Sequence, residues 1–277
     1  MSYPNRRVIV VDNPAIDGTT LDIASEFPEH QIIVNAIDGG YCQGCNLGLD
    51  VALAHQADYI LILDQNTVLA PAALETFLAL ASKNERLGLA NPKTYFVQEN
   101  QQAPYRLLYA GSWAHHLPVE QKLRGVNLPD TGQYDDPCQV DYVWGHALFI
   151  RAETLRQIGL FDEAFYMYYE DLDLARRAKE AGYEVWYTPN TQAWYHGPDM
   201  GGYQNFTISD WFYKLQSRRI FCRKYYGSFP GELLGIASLV YLSLQSFRQR
   251  FWLSGLKLYQ VWLMTLFLKR IDLSNSS

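Results

Sequence analysis

The chain has 277 residues, 48% of them hydrophobic, which is enough apolar material to bury one substantial core. Its formal net charge of −6 and its pI near 5.5 argue against a general nucleic-acid binder, because such a protein needs basic surface to meet phosphates. No basic segment with a following apolar run opens the chain, so no secretory signal is predicted.

Short apolar runs alternate with helical patterns along the first third of the chain. Strands are predicted at residues 8–11, 31–34 and 59–63, and helices at about 21–27, 47–54 and 71–81. Strand and helix alternating at these intervals are typical of βαβ units and a parallel sheet.

A polar group ends the third strand at once. Asp64 and Asn66 alternate along the chain, so both side chains can turn toward one ligand. Open α/β sheets bind ligands at the carboxyl ends of their strands. Two oxygen-bearing side chains there suit a hard divalent ion carried in by a diphosphate. The alternative is a strand that simply stops at a polar turn.

The middle of the chain, from about residue 91 to residue 137, is weakly patterned and predicts loops or a short β excursion lining a cleft. An apolar pattern returns at residues 140–151, where Gly145 and His146 interrupt it. A glycine at such a position indicates a bulge or a close approach to a ligand.

Three acidic residues, Glu170, Asp171 and Asp173, crowd the first turn of a predicted helix. One explanation is complementation of the helix dipole, which gains roughly 0.3–1 kcal/mol. The aromatic and methionine run at residues 166–169 just before them favours a second explanation. In that interpretation an ionised carboxylate beside a ligand cleft acts as a general base.

His196 follows the next predicted strand. A single histidine in a loop is usually structural, but with a metal proposed at Asp64 its imidazole fits an additional metal ligand or a phosphate contact. The pair Gly201-Gly202 predicts a loop that closes over a nucleotide.

After Asp210 the pattern becomes helical, basic and aromatic. Arg218 in this segment either pairs with a diphosphate or belongs to a solvated helix face. Residues 233–247 carry no charge, but about 22 Å of helix is too short for a hydrocarbon core of about 30 Å. The basic and aromatic residues that follow fit a segment lying in a membrane interface, and packing on the main domain or on a second subunit is an equal alternative.

Short motifs follow one another in order along most of the chain: Val11-Asp12-Asn13, Asp17-Gly18-Thr19, Asn35, Gly40-Tyr41, Asn46-x-Gly48, Leu63-Asp64-Gln65-Asn66-Thr67, Gly145, Arg151, Phe161-Asp162-Glu163, Tyr169-Glu170-Asp171-Leu172-Asp173-Leu174, Arg177, Gly182-Tyr183 and His196. Each motif alone is weak. In this order, over roughly residues 8–226, they resemble the inverting family 2 glycosyltransferases, closest to the bacterial rhamnosyltransferase-like branch.

The resemblance implies a GT-A fold, an α/β fold with a mostly parallel, Rossmann-like sheet flanked by helices. Residues 1–205 form the predicted transferase domain and residues 206–277 a C-terminal helical extension. The implied reaction moves a sugar, with rhamnose as one candidate, from a dTDP-, UDP- or GDP-linked donor to a hydroxyl of a glycan or lipid-linked glycan, with inversion. The expected location is cytoplasmic, at the inner face of the membrane, in cell wall or polysaccharide synthesis.

Site roles are assigned on the same basis. Asp171 is the expected acceptor base, with Glu170 beside it. The donor side is assigned to Asp12, Asn13, Asn35, Gly40, Tyr41, Asn46 and Asp64, to which the basic segment adds Arg218. The acceptor side is assigned to Trp144, Gly145 and His146. Asp64, Asn66 and His196 are the expected ligands of Mg²⁺ or Mn²⁺.

Two departures from the family pattern support a competing hypothesis, a catalytically silent nucleotide-sugar-binding or scaffolding homologue. Family members normally begin with one further strand and helix, which have no counterpart before Val8, so either the start is misassigned or truncated, or the fold has lost this element. Asn66 replaces the usual second Asp and removes a negative charge, so weak metal binding or metal-independent transfer is expected. A dinucleotide-binding oxidoreductase is a poor alternative because no GxGxxG follows the first strand.

Overall fold

The structure is a computed structural model that describes residues 3–13, 19–97, 105–115, 120–197, 207–248 and 260–265. The predicted turn at Asp17-Gly18 and the predicted closing loop at Gly201-Gly202 lie outside the described residues.

The secondary structure reproduces the predicted strand–helix alternation in the first third of the chain. The strands are β1 (Ile9–Asp12), β2 (Gln31–Val34), β3 (Tyr59–Leu63), β4 (Thr67–Leu69), β5 (Leu87–Phe96), β6 (Leu107–Tyr109), β7 (Ser112–His115), β8 (Glu120–Leu123), β9 (Cys138–Gln139), β10 (Ala147–Arg151) and β11 (Glu184–Tyr195). The helices are α1 (Thr19–Glu26), α2 (Gly40–Ala54), α3 (Ala73–Lys83), α4 (Ala152–Ile158), α5 (Glu170–Glu180), α6 (Ile208–Tyr226) and α7 (Ser228–Arg248).

The main sheet has seven strands. Its path runs β3-β10-β5-β11-β4, with β6 added on β5 and β9 on β11. β5 and β11 are parallel, whereas β10 is antiparallel to both of its neighbours and β4 is antiparallel to β11. β1 and β2 pair in parallel as a separate sheet, and β7 pairs with β8.

The predicted α/β class, with a central sheet flanked by helices, is confirmed. Parallel pairing is less extensive than expected, because in the described residues only β1–β2 and β5–β11 run in parallel. The difference arises mainly at β10, which inserts between β3 and β5 in the opposite direction. A continuous apolar run predicts a strand buried on both faces, but it does not encode the direction of that strand.

The core of the sheet lies between β3, β10 and α3. Phe149 stacks on Phe77 with ring centroids 4.8 Å apart and on Tyr59 at 5.3 Å. Every residue of β5 is buried, including the polar Asn91 and Lys93. The Lys93 ammonium pairs with the carboxylates of Asp130 and Asp135, so this buried charge is compensated inside the protein.

The chain divides into two compact units. The first comprises Met1–Trp113, Leu123–Glu163 and Asp171–Gly201, and the second comprises Ala114–Lys122, Ala164–Glu170 and Gly202–Ser277. The domain boundary predicted between residues 205 and 206 stays a prediction.

Helices α6 and α7 dominate the second unit. Tyr166 stacks on Tyr213 of α6 with centroids 4.1 Å apart, and the Ser217 hydroxyl donates to the Met167 carbonyl at 2.7 Å. Among the described helices, none has the length and apolar character needed to cross a bilayer.

Candidate functional site

The segment Asp64-Gln65-Asn66 joins β3 to β4, the two ends of the main sheet path. Backbone hydrogen bonds hold it on both sides. The Asp64 N–H donates to the His146 carbonyl at 2.9 Å, and the His196 N–H donates to the Asn66 carbonyl at 2.7 Å. His146 directly precedes β10 and His196 directly follows β11, so the segment lies where β10 begins and β11 ends.

The side chains of this segment contact Tyr195, the last residue of β11. Asp64 Oδ1 accepts the backbone N–H of Asn66 at 2.6 Å, and the Asn66 side chain hydrogen-bonds the Tyr195 hydroxyl. Burial raises the pKa of Tyr195, the negative charge of Asp64 raises it further, and the hydrogen bond with Asn66 opposes the shift. The Asp64 charge and the Asn66 side chain therefore both act on the Tyr195 hydroxyl.

The donor atoms of Asp64, Asn66 and His196 fit a divalent ion that is also bound by a substrate phosphate better than an ion bound by protein side chains alone. Asp64 supplies a carboxylate, Asn66 an amide oxygen and His196 an exposed imidazole. The described residues contain no group of three or more His, Cys, Asp or Glu that could hold a metal ion. Mg²⁺ commonly uses one or two carboxylates together with substrate phosphates and water, and the donors present meet that lower requirement.

The ends of β1 and β2 bring three residues of the predicted nucleotide side together. The Asn35 N–H donates to the Asp12 carbonyl at 2.8 Å, and the Asn35 side-chain amide donates to Asn13 Oδ1 at 3.1 Å. Gly44 of α2 closes this group, because a Cβ there would lie 3.0 Å from Asn13 Oδ1. Asp12, Asn13 and Asn35 thus occupy one strand-end cluster.

The start of α2 connects the predicted donor and acceptor sides. Gly40 has φ +78°, a left-handed conformation that favours glycine. The neighbouring Tyr41 hydroxyl donates to the Gly145 carbonyl at 2.9 Å. A Cβ on Gly145 would lie 2.2 Å from the Tyr41 hydroxyl oxygen. Gly145 therefore makes room for Tyr41, and not for a bulge or a ligand as the sequence predicted.

Trp144 and His146 flank that glycine. Their rings meet edge to face with centroids 4.9 Å apart, and His146 Nε2 lies 2.7 Å from the Thr94 hydroxyl. His146 is 4% exposed, and burial lowers the pKa of its imidazole to about 3. The ring is therefore neutral near pH 7 and cannot supply a positive charge. Its Nδ1 has no hydrogen-bond partner within the described part of the chain.

The acidic turn at the start of α5 is set by an unusual backbone. Tyr168 and Tyr169 have φ +70° and +66°, a conformation that non-glycine residues adopt rarely and at a cost of about 1–3 kcal/mol each. The chain then enters α5, where Asp171 is 4% exposed and its Oδ1 accepts the Leu172 N–H at 2.7 Å. Such strain at the residue before a buried carboxylate is typical of a functional site.

Tyr109 relates Asp171 to the Asp64 segment. Burial raises the pKa of the Tyr109 hydroxyl, a hydrogen bond with Ser112 lowers it, and the negative charge of Asp171 raises it. The Tyr109 ring also meets the His146 ring edge to face at 6.0 Å, and the His146 carbonyl binds Asp64. Within the first unit, Tyr109 thus lies within the electrostatic influence of Asp171 and meets the His146 ring, whose backbone binds that of Asp64.

Several motif residues hold the fold together. The Asn46 amide donates to the Phe161 carbonyl and to Glu163, each at 3.0 Å, and Asn46 Oδ1 accepts the Phe161 N–H at 3.0 Å. These contacts tie α2 to the loop before α5. The donor-binding role assigned to Asn46 stays a prediction, and its contacts indicate a structural one.

Asp173, which is fully buried, and Arg177, which is partly buried, form an ion pair at 2.8 Å within α5. Arg177 also donates to the carbonyls of Ile158 and Leu160 at 2.9 and 2.8 Å. This pair fixes α5 against the preceding loop. Of the three acids in the turn, Asp173 therefore has a structural partner on its own helix.

Arg218 lies in α6, in the second unit, and is 3% exposed. Its Nε and Nη2 have no hydrogen-bond partner among the described residues. Beside it, burial raises the pKa of the Cys222 thiol to about 11, and the Arg218 charge opposes that shift. A buried guanidinium with unmet donors is unfavourable unless an anion joins it.

Tyr109 and Tyr195 are not among the residues predicted from the sequence. Tyr195 directly precedes His196 at the end of a predicted strand, and this position could have marked it as a candidate site residue. Tyr109 lies in the weakly patterned middle of the chain, where nothing in the sequence marks it.

Comparison with known proteins decides the family. The family model described as "Glycosyl transferase family group 2" matches residues 59–273, more than half of the chain. The chain belongs to this family. The resemblance predicted from the ordered motifs is confirmed, although the matched region leaves out residues 1–58 and extends past residue 226.

A curated relative is the N-acetylglucosaminyl-diphospho-decaprenol L-rhamnosyltransferase of two Mycobacterium tuberculosis strains, CDC 1551 / Oshkosh and ATCC 25618 / H37Rv. It is 24% identical over 208 residues, which cover 68% of this chain and 66% of the relative. The match thus spans just under two thirds of the relative's length.

A solved structure with a similar fold is the crystal structure of GalNAc-T7 with UDP, GalNAc and Mn²⁺. It superimposes with a TM-score of 0.57 at 15% identity, covering 76% of this chain and 40% of that one. At this identity the likeness shows a shared fold.

Proposed function

We propose that the chain is an inverting glycosyltransferase that moves a sugar from a nucleoside diphosphate to an acceptor hydroxyl. Family membership supports the reaction class. The observation that carries the proposal is the placement of Tyr109, which feels the charge of Asp171 and meets the ring of His146, whose carbonyl accepts the Asp64 N–H, because transfer needs one group near the departing diphosphate and another near the acceptor.

Asp171 is the proposed general base. It takes the proton of the acceptor hydroxyl, and the oxygen then attacks the anomeric carbon from the face opposite the diphosphate, which inverts the configuration. Its place in the first turn of α5 supports this role, because a helix N-terminus stabilises the ionised carboxylate. Glu170, 7% exposed, adds a second acid next to it.

The donor is proposed to lie along the strand ends, with its base near Asp12, Asn13 and Asn35. Gly40 and Tyr41 would bound this pocket at the start of α2. The donor-binding role assigned to Arg218 stays a prediction, and the unmet donors of its buried guanidinium support an anion as its partner. dTDP-, UDP- and GDP-linked donors all fit this description.

A divalent ion, Mg²⁺ or Mn²⁺, is proposed to be held by Asp64 with Asn66 and His196. When bound, it neutralises charge on the departing diphosphate. With one carboxylate in the donor set, we expect weak affinity until the nucleotide-sugar brings its own phosphate ligands.

The acceptor is proposed to be a lipid-linked glycan, and rhamnose is the first donor sugar to test. Both suggestions come from the name of the mycobacterial relative. Trp144 and Gly145, next to the neutral His146, are the proposed acceptor side. Such a reaction would belong to cell wall or polysaccharide assembly at the cytoplasmic face of the membrane.

The Asp171→Asn variant tests the function directly. Transfer from dTDP-rhamnose and from UDP- and GDP-sugars to a prenyl-diphosphate-linked GlcNAc acceptor is measured, and loss of the base is expected to lower turnover by roughly 10²–10⁴. Asp141→Asn is the matched control, because Asp141 is a partly exposed carboxylate paired with Lys179. Near-normal transfer by Asp171→Asn would remove Asp171 from this role.

A catalytically silent nucleotide-sugar-binding homologue is the second candidate. The neutral Asn66 and the small donor set for a metal favour it. Thermal shift with UDP, GDP and dTDP plus Mn²⁺ separates the two candidates, since ligand at about 100 times its Kd stabilises by about 2.7 kcal/mol. Binding without turnover supports the silent homologue, and no shift with any nucleotide contradicts both.

A further inference from the structure

Helix α7 is attached to α6 along one of its faces. Gly231 is buried, and a Cβ there would lie 2.7 Å from the backbone carbonyl of Cys222, so only a glycine allows this approach. The Glu232 carboxylate pairs with Arg219 at 2.7 Å and with Arg223 at 3.6 Å. These contacts fix which side of α7 faces α6.

The other side of α7 carries large apolar side chains in contact with solvent. We name these four residues the apolar stripe: Phe229 (75% exposed), Leu233 (51%), Ile236 (42%) and Val240 (52%). Their spacing of four, three and four residues places them within about 60° of one another around the helix, and Gly231 lies on nearly the opposite side. In the sequence, Leu244 and Phe247 occupy the next positions of the same repeat.

An exposed apolar row of this kind marks an interaction surface, because isolated soluble proteins rarely leave contiguous apolar area in water. The described part of the chain has no helix able to cross a membrane. An amphipathic helix of 21 residues, about 31 Å long, can instead lie in the plane of a bilayer interface.

The charge of the sequence that follows the stripe indicates the partner. Residues 241–271 include five Lys or Arg residues and no acidic residue, a net charge of +5. The whole chain carries −6, so this segment is opposite in sign to the rest. A cationic segment that follows an apolar row in the sequence complements an anionic surface. A second copy of the chain fits poorly, because pairing would bring two segments of +5 together.

We propose that the apolar stripe of α7 inserts into the interface of an anionic lipid bilayer, with the cations of residues 241–271 meeting lipid phosphates. The proposal deepens the proposed function, because an acceptor linked to a lipid is presented at such a surface. The helix would then hold the transferase where its acceptor is anchored.

Vesicle co-sedimentation of the full chain tests this proposal with no donor or acceptor present. The vesicles are phosphatidylcholine alone or phosphatidylcholine with about one third phosphatidylglycerol. The double variant Leu233→Gln/Ile236→Gln is expected to bind at least about tenfold more weakly than the unmodified chain, since it loses buried apolar area. Ala237→Gln is the matched control, because Ala237 is exposed on α7 outside the apolar stripe.

Strong binding to the anionic vesicles, loss in the double variant and retention in Ala237→Gln would support the proposal. It is overturned if the unmodified chain stays in solution, or if the double variant sediments equally well while its circular dichroism matches that of the unmodified chain. If the unmodified chain does not bind vesicles and forms a dimer that the double variant does not form, the proposal is overturned and the stripe is assigned to a second copy. Because no transfer is measured, an inactive chain that binds vesicles would refute only the proposed function.

Discussion

The polar groups at the two ends of the β3–β10 strand pair differ in whether they have hydrogen-bond partners. At one end, Arg151 donates to the carbonyls of Leu87, Ala81 and Asn84 and to the Tyr59 hydroxyl. At the other end, Thr67 Oγ1 and His146 Nδ1 have no partner among the described residues. A polar group with partners inside the protein stabilises the fold, whereas a buried polar group without one costs stability, and a bound ligand is one way to offset that cost.

The largest effect is expected at the unsatisfied end. Asp64→Asn should lower turnover by roughly 10²–10³, because it removes the charge proposed to act near the diphosphate. The new side chain still offers an oxygen to the Asn66 N–H, so the melting temperature should change little. Steady-state kinetics and thermal unfolding measure both quantities.

Asp58→Asn is the control for this variant, since Asp58 is an exposed carboxylate just before the same strand. Equal losses of turnover in the two variants would mean that the comparison between the two ends is wrong.

The satisfied end should show the reverse. Arg151→Met is expected to lower the free energy of unfolding by about 2–4 kcal/mol, because several carbonyls lose a charged donor. The kcat of the folded fraction should stay within about twofold of that of the unmodified chain. Urea denaturation measures the stability. Arg156→Met, at an exposed arginine paired with Glu153, should cost less than about 1 kcal/mol. Lost turnover in a stable Arg151→Met protein would contradict the assignment.

A pH series extends the comparison to β5. Burial acts to raise the pKa of Asp130, but hydrogen bonds from Tyr95 and Lys93 outweigh it and hold the pKa below 3.8. A carboxyl with a lowered pKa in the folded state stabilises the fold above its unfolded value, and this stabilisation is lost as pH falls through the folded value. Asp130→Asn should therefore lower stability by about 1–3 kcal/mol at pH 7.

The difference between Asp130→Asn and the unmodified chain should narrow as the pH falls below 3.8. Chemical denaturation at pH 7, 5 and 3 gives the comparison. A gap that is constant with pH would show that the carboxylate charge contributes nothing.

The smallest effect is expected at Tyr41, where the two assigned sides of the site meet. Tyr41→Phe removes one hydrogen bond to the Gly145 carbonyl and keeps the ring, so stability should fall by about 0.5–1.5 kcal/mol. Tyr105→Phe, at an exposed tyrosine, should change stability by less than about 0.5 kcal/mol. A rise of more than tenfold in the donor KM for Tyr41→Phe would instead show direct contact with the donor.

The sequence predicted the bounds of β3 and the polar residues after it, because both are local signals. The uninterrupted apolar run also predicted a strand buried on both faces, whereas β3 lies at one end of the main sheet path and is only partly buried, with Leu63 39% exposed. The sequence did not predict that β10 runs antiparallel, since the direction in which two strands pair depends on residues far apart in the sequence. The reason for Gly145 was also out of reach, because the ring that requires it belongs to Tyr41, 104 residues away.

Residue type alone also fails to distinguish a functional residue from one that stabilises the fold. Asp171 and Asp173 look alike in the acidic turn, yet Asp173 is paired with Arg177 on its own helix. Asn46 belongs to the same motif series as Asp64, but its amide binds the Phe161 backbone. Only tertiary contacts distinguish these roles, so the family pattern alone does not assign a role to each residue.

The Asp64-Gln65-Asn66 segment is tied by its main chain to the residues next to two strands of the sheet. Its dipoles and its carboxylate therefore cannot rotate freely when charge shifts on a bound molecule. In water, solvent molecules must reorient during such a shift, and avoiding that reorganisation is usually the largest electrostatic gain of an enzyme. Loosening this anchorage should slow the chemical step far more than it weakens binding.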